Sequence, residues 1–294
     1  MEKITDLLSK KFTVSVEIVP PRNGTDPNII LNDIGKLKDK VDFISVTKGA
    51  GGSLRGGTLP LTVIAKEKYN LLPIAHFVCR EHTTHEIENE LFDLHYFGIK
   101  NILALRGDAP AGQKSLEWEG DYKYAFMLVK QISDMNKGLY VPRANVDNGP
   151  RVGIKTDFCV LVAGHPEDPI EDEIIHMKIK ADAGAGAIIT QMIFDFEEYR
   201  KYVTSLRNAG ITLPVIAGVR PLTSLAQAES LEKFFGLIVP QKLKKGLAGD
   251  ETNFGINYTF DMVKKLKEFG ASGVHFFLVN DINLFMKITE KLLD

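Results

Sequence analysis

Short apolar, β-branched runs recur from one end of the chain to the other, and a longer segment of helical spacing separates each from the next. That alternation specifies parallel strands joined by helical crossovers and excludes all-helical and all-strand folds. Eight runs can be read: TVSVEIV (13–19), FISVTKG (43–49), LPIAHFVC (72–79), NILALRGD (101–108), DFCVLVAG (157–164), AIITQMIF (187–194), LPVIAGV (213–219) and GVHFFLV (273–279). Between them Ile29, Ile30, Ile34 and Leu37, then Ile87, Leu91 and Leu94, then Ile174, Met177 and Ala181 return at helical spacing. Asp26-Pro27, Thr58, Thr83-Thr84 followed by Glu86, and Thr223-Ser224 stand where helices should start, and Gly98, Gly184, Gly210 and Gly270 where they should stop. Eight strands alternating with helices in 294 residues predict an α/β protein, one (β/α)8 TIM barrel filling residues 1–294 as a single domain. A doubly wound open sheet shares the alternation, because strand count does not reveal closure.

Two stretches exceed a minimal barrel. Met135–Thr156 is rich in Gly, Pro and Asn and reads as an excursion after the fourth helix; Gly236–Thr252 reads as an extra short helix and loop before a last long helix around DMVKKLKEF.

Composition removes several functions. Lys plus Arg is 36 and Asp plus Glu 38, so the net charge of −2 gives no basic footprint for nucleic acid. Lys242, Lys244 and Lys245 read as a solvated helix face. No run reaches the roughly 18 apolar residues of a membrane span, and MEKITDLLSKKF lacks a secretory core, so a cytoplasmic location is expected. Cys79 and Cys159 both lie within apolar runs and read as small buried residues.

A barrel places its chemistry at the C-terminal strand ends and the loops beyond. Those ends are polar here: Glu17 and Pro20-Pro21-Arg22, Thr47-Lys48-Gly49, His76 and Arg80-Glu81-His82, Arg106-Gly107-Asp108, Gly164-His165-Pro166-Glu167, Thr190-Gln191 with Asp195, and Arg220. Glu17 is in phase with Ser15 and Val19, which turns it toward the barrel interior, away from Val16 and Ile18. A carboxyl there suits either a proton donor of raised pKa or an ion pair with Arg106 or another neighbour. His76 alone reads as a core histidine; His82 and His85 with Glu81 and Glu86 lack a third metal partner; His95, His176 and His275 read as structural. GAGGSLRGG lacks the G-x-G-x-x-G spacing of a dinucleotide loop, and neither G-x-S-x-G nor a Walker pattern occurs.

Read in order, these strand ends resemble the methylenetetrahydrofolate reductases, flavin-containing barrel enzymes of one-carbon metabolism and methionine biosynthesis. The resemblance runs through VSVEIVPPR (14–22), ISVTKGAGG (44–52), IAHFVC (74–79), ILALRGDAP (102–110), GHPE (164–167), KADAGAGAIITQMIFD (180–195), VIAGVRPLTSLAQ (215–227) and HFFLVN (275–280). It implies Glu17 as the catalytic acid that helps open the imidazolidine ring, and Asp108 beside flavin and pterin. Gln191 and Gln227 then match folate-holding amides, and Thr47, His76, Arg106, Asp108, Tyr124, Ala125, His165 and Lys180 match positions around a non-covalent FAD. NADH or NADPH is the implied electron donor, a folate the substrate, a homo-oligomer the assembly, and no metal is needed. Lys180 would equally snorkel from its helix, and Tyr124 would equally pack at a helix start. Four positions depart from the family pattern: Lys48 and Leu161 replace Tyr, Leu231 replaces Phe, and Asp281 replaces Arg. Those losses of stacking and of a cation fit a second possibility, a flavin- or folate-binding subunit of a larger electron-transfer complex that does not itself use NADH or NADPH.

Overall fold

The computed structural model describes residues 1–49, 55–108, 119–249, 251–278 and 281–293. Eight of its strands are parallel: β1 (Thr13–Ile18), β2 (Phe43–Val46), β3 (Pro73–Val78), β4 (Asn101–Leu105), β7 (Cys159–Gly164), β8 (Ala187–Ile193), β9 (Val215–Val219) and β10 (Gly273–Phe276). They close in the order β1-β10-β9-β8-β7-β4-β3-β2. The strand between β1 and β9 is the last in the chain, so closure joins the two chain ends: Thr13 registers with Gly273 and Val16 with Phe276. An open sheet is thereby ruled out.

Both strand faces are covered, which is why the runs read as continuous apolar stretches. Outward residues such as Val16, Ile44, Phe77 and Ile102 pack on helices, among them α2 (Pro27–Lys36), which contributes Ile30 and Ile34, and α4 (Thr84–Tyr96), which contributes Ile87 and Leu91. Inward residues form a separate core of Phe43, Ile74, Leu103, Leu161, Ile189 and Ile216, joined by Ile4 from the five-residue helix α1 (Ile4–Leu8). The Ile4 amide donates to Asn101 Oδ1 at 2.9 Å, and Asn101 Nδ2 donates to the Glu2 carbonyl at 3.2 Å. Asn101 opens β4, so α1 plugs the barrel at the N-terminal strand ends. Burying a side chain the size of Ile4 contributes about 1.5–3 kcal/mol. Access to the interior is left to the opposite end.

Most helix starts and stops fall where the sequence puts them. Asp26 accepts from the Asn28 amide at 3.0 Å, Thr83 and Glu86 form a reciprocal capping box, and Ser224 accepts from the Gln227 amide at 3.3 Å. Thr58 differs. It is the first residue of α3 (Thr58–Tyr69), whose cap is Gly57 at φ +106°; Pro20 Cβ lies 3.1 Å from where a side chain at Gly57 would begin, so its glycine serves a close approach as well as a turn. The Thr58 hydroxyl instead donates to the Thr47 carbonyl at 2.7 Å, tying α3 to the end of β2.

The 135–156 excursion follows α5 (Ala125–Asn136) and contains a two-residue antiparallel pair, β5 (Leu139–Tyr140) with β6 (Arg151–Val152). It climbs α4 toward the rim. Tyr140 meets Phe92, the Val141 amide and Arg151 bond to Glu88, and His85 approaches the Pro142 carbonyl at 3.2 Å in the helix's first turn. The remaining crossovers use α6 (Ile170–Ala183), α7 (Phe196–Asn208) and α8 (Leu225–Phe235). The short helix expected within 236–252 is α9 (Gln241–Leu247); Lys244 from it pairs with Glu232 at 2.9 Å rather than lying free in solvent, while Lys242 and Lys245 are exposed. The sequence reading ends its helices too soon. The long helix α10 spans Glu251–Phe269, and a further one, α11 (Ile282–Leu293), follows β10.

Candidate active site

Strand alternation puts Ser15 and Glu17 of β1, Ser45 of β2 with the following Thr47, His76 of β3 and His275 of β10 on the inner wall, above the apolar plug. Glu17 registers with Ser45, so these side chains leave neighbouring strands side by side. The carboxyl of Glu17 makes no hydrogen bond among the described residues. Burial pushes its pKa up to about 8, and the one opposing influence is the positive charge of Arg220, just beyond β9. Burial likewise lowers the pKa of Arg220, with Glu17 holding it up. Arg106, the ion-pair partner considered from sequence, is exposed at the end of β4, three strands from β1, whereas β9 is two strands away on the other side.

Thr47 is 4% exposed, and its hydroxyl oxygen is buried without a partner among the described residues. An orphaned buried hydroxyl costs stability unless a ligand completes it. His76 is buried on the neighbouring strand, with Nε2 3.0 Å from Ser45 Oγ; burial drives its pKa down to about 3, so the ring is neutral.

Across the barrel β8 and β9 shift register between Ile189 and Met192. Thr190 Oγ1 accepts from the Gly218 amide at 2.8 Å and donates to the Gln191 carbonyl at 2.9 Å, while Gln191 Oε1 accepts from Met192 N at 2.9 Å. Such a bulge re-aims a side chain at a barrel rim. Gly218 is required there, because an added Cβ would lie 2.3 Å from the Thr190 carbonyl oxygen and 2.7 Å from the Phe277 ring.

At the end of β7, the His165 amide donates to Glu173 Oε1 at 2.8 Å, and the Tyr202 hydroxyl donates to the same oxygen at 2.8 Å. Gly164 makes room for this, since a Cβ would sit 2.4 Å from the Tyr202 hydroxyl. Burial works against a charge on His165, but its 3.1 Å contact with Glu167, aided by Glu173, carries the pKa above the ordinary value. Lys180 reaches back from α6 to donate to the Ala163 carbonyl at 2.8 Å, and burial lowers its pKa against the pull of Glu173 and Asp168. The snorkelling option is thus only half right: the stem leaves α6, but the ammonium ends on the barrel strand.

The other candidates are more dispersed. Asp108 and Arg106 are exposed after β4; Tyr124 caps α5 and stacks on Phe126 at 5.7 Å; Ala125 is that helix's first residue. Gln227 is engaged within its own helix start, where Oε1 accepts from the Thr223 amide at 2.8 Å and its hydroxyl at 3.3 Å. Lys48 lies 4.9 Å from the Phe77 ring centroid and donates to Glu90 at 2.6 Å. Burial opposes ionisation of Glu90, yet His82 and Lys48 hold its carboxyl down at about 2. His82 therefore belongs to an ion-pair cluster, and among the described residues no three His, Cys, Asp or Glu side chains converge on a metal position. Leu161 is inside the plug; Leu231 is 3% exposed in a satellite core with Met192, Phe194 and Leu243; Asp281 accepts from the Leu284 amide at 3.0 Å and caps α11. Sequence reasoning gave Ser15 and Ser45 no role, read His275 as structural only, and gave Arg220 no partner. The signal for the first three was their inward phase, shared with Glu17.

A family model described as methylenetetrahydrofolate reductase matches residues 1–293. Methylenetetrahydrofolate reductase 1 of Schizosaccharomyces pombe is 30% identical over 99% of this chain, which spans 48% of that relative's length. The 5,10-methylenetetrahydrofolate reductase of Salmonella typhimurium is 30% identical over 96% of this chain and 91% of its own length. Among solved structures, an uncharacterized protein from Clostridium thermocellum that binds two copies of 5-methyl-5,6,7,8-tetrahydrofolic acid aligns over 99% of this chain and 100% of its own, with a TM-score of 0.61 and 15% identity, a likeness of fold. With its inward carboxyl at the mouth of a closed barrel and a family match from residue 1 to residue 293, the chain belongs to the methylenetetrahydrofolate reductase family.

Proposed function

We propose that the chain reduces 5,10-methylenetetrahydrofolate to 5-methyltetrahydrofolate, with FAD held non-covalently at the barrel mouth and electrons drawn from NADH or NADPH. The observation that carries this reading is Glu17, a carboxyl pushed up to about 8 and facing, among the described residues, one charge, Arg220. It holds a proton near neutrality and can release it to a departing amine nitrogen, opening the five-membered ring to an iminium. The unpartnered Thr47 hydroxyl fits a ligand bound against β2, and His76, Arg106, Asp108, Tyr124, Ala125, His165 and Lys180 would hold the flavin around it. When bound, FAD supplies the hydride that reduces the exocyclic carbon. Arg106 and Lys180 suit its phosphate or ribose oxygens. Asp108 would bond the amino edge of the pterin, and Gln191, aimed by the bulge, its polar rim. Gln227, whose Oε1 is taken by Thr223, would join through its Nε2 donors.

The two half-reactions separate the roles. Glu17→Gln should spare bleaching of the flavin by its donor and slow reoxidation by methylenetetrahydrofolate by about 10²–10⁴-fold, the range of general acid catalysis. Equal damage to both halves would contradict the acid role. A wild-type chain that is yellow yet inert with NADH and NADPH, while accepting electrons from a dye, would favour the electron-transfer subunit instead.

A further inference from the structure

Four buried polar side chains from four strands form a continuous line inside the barrel. Ser15 Oγ lies 3.0 Å from the Val274 carbonyl and 2.8 Å from His275 Nδ1; His275 Nε2 is 3.1 Å from Ser45 Oγ, which is 3.0 Å from His76 Nε2. All four residues are at most 6% exposed. Both rings are neutral, since burial drives each pKa down to about 3, and in His275 the neighbouring His76 adds to the effect. A neutral imidazole has one proton and one bare nitrogen, a hydroxyl has one proton, and a carbonyl only accepts.

Those rules leave one assignment. The Val274 carbonyl takes the Ser15 proton, so Ser15 accepts from His275 Nδ1–H. His275 Nε2 is then bare and takes the Ser45 proton, and Ser45 in turn accepts from His76 Nε2–H. We propose that Ser15, His275 and Ser45 are positioning residues that fix His76 in the Nε2–H tautomer, so that its bare Nδ1 accepts a hydrogen bond from an N–H or O–H group of the bound ligand. Among the described residues Nδ1 has no partner of its own. Phe43, stacked on His275 at 11°, and Phe277, edge-on at 5.1 Å, hold the middle ring in place.

The same bookkeeping bears on Glu17. Each of the four protons is used within the line, so none is left to donate to the carboxyl registered beside Ser45. A carboxylate without donors is disfavoured, in keeping with a proton-holding Glu17.

The tautomer assignment is independent of the proposed activity; that the ligand is a flavin rests on it. The test is nitrogen NMR on ligand-free protein carrying ¹⁵N-histidine, assigned with His76→Gln and His275→Gln. The expected result is two neutral rings of opposite tautomer: His275 protonated on Nδ1, the form less favoured by free histidine, and His76 protonated on Nε2. Ser45→Ala should release His76 into a tautomer mixture while His275 keeps its proton on Nδ1, and Ser45→Thr should restore the wild-type pattern. Identical tautomers in the wild type, a proton on His76 Nδ1 or a charged ring at neutral pH would overturn the proposal, whether or not the alanine variant folds. Added FAD should move the His76 Nδ1 resonance; FAD that binds without moving it would refute the acceptor role. If FAD fails to bind while the tautomers remain opposite, the flavin reading falls and the positioning line stands.

Discussion

Replacing Glu17 by Gln should make the folded chain more stable, and increasingly so as the pH rises. The folded carboxyl holds its proton up to about 8, against an ordinary value of 4.5 that the unfolded chain retains. Between those values the folded state binds a proton that the unfolded state has released, so wild-type stability falls as pH rises, by about 1.4 kcal/mol per pH unit for this one group. Below 4.5 both states are protonated and Glu17 costs nothing in this respect; above 8 the whole penalty is present. The full span would be about 5 kcal/mol, and water entering through the mouth reduces it, so a wild-type-to-variant difference that grows by at least about 2 kcal/mol between pH ~5 and ~9 is expected. Urea unfolding of ligand-free wild type and variant across that range measures it, and subtraction cancels the other titrating groups. A protonated-acid carbonyl band at neutral pH, absent from the variant, would corroborate the assignment by infrared spectroscopy. A difference that stays flat with pH would refute the argument, for it would mean the folded carboxyl titrates like an exposed one.

Arg220→Met removes the charge that opposes the raised pKa, so the pH at which Glu17 deprotonates should move upward, read from the same band and from the pH profile of flavin reoxidation. Thr47→Val deletes a hydroxyl with no partner among the described residues; the ligand-free chain should lose no stability in urea unfolding and gain up to about 1 kcal/mol, while FAD affinity falls roughly 5–10-fold in titration. Gly164→Ala places a methyl against the Tyr202 hydroxyl and Ile188, which should cost about 1–3 kcal/mol in unfolding and loosen the Glu173 bond that sets the His165 backbone.

The strands were legible because parallel strands buried on both faces must be apolar throughout, and all eight runs contain a barrel strand. Glu17 was legible for the complementary reason: a carboxyl between Val16 and Ile18 has no place on a helix-covered face and can only turn inward. The line from Ser15 to His76 was not. Ser15 and His275 are 260 positions apart, and Ser45 and His275 230 apart. Phase tells which way each points, but only closure and stagger tell which of them meet. The partner of Glu17 was hidden likewise, because Arg106 and Arg220 both end strands and only the order around the barrel sets their relation to β1. The start of α10 was missed through the polar, weakly periodic stretch ETNFGIN, whereas α11 was missed outright although INLFMKITEKLL carries a clear helical apolar face.

The two ends of the barrel divide the labour that a buried acid requires. With α1 filling the bottom, the open approach to Glu17 among the described residues is the mouth, so whatever occupies the mouth governs how strongly the proton is held. On the proposed reading, a substrate lying over the carboxyl would remove water there and raise its proton affinity further, so that the acid would be most reliably protonated when its proton is needed. After such a transfer the same dryness would act in reverse. The new carboxylate would then sit in a covered site whose hydroxyl and imidazole protons are already taken, with Arg220 the one charge among the described residues to balance it, and reopening of the mouth would become the favoured route to reprotonation.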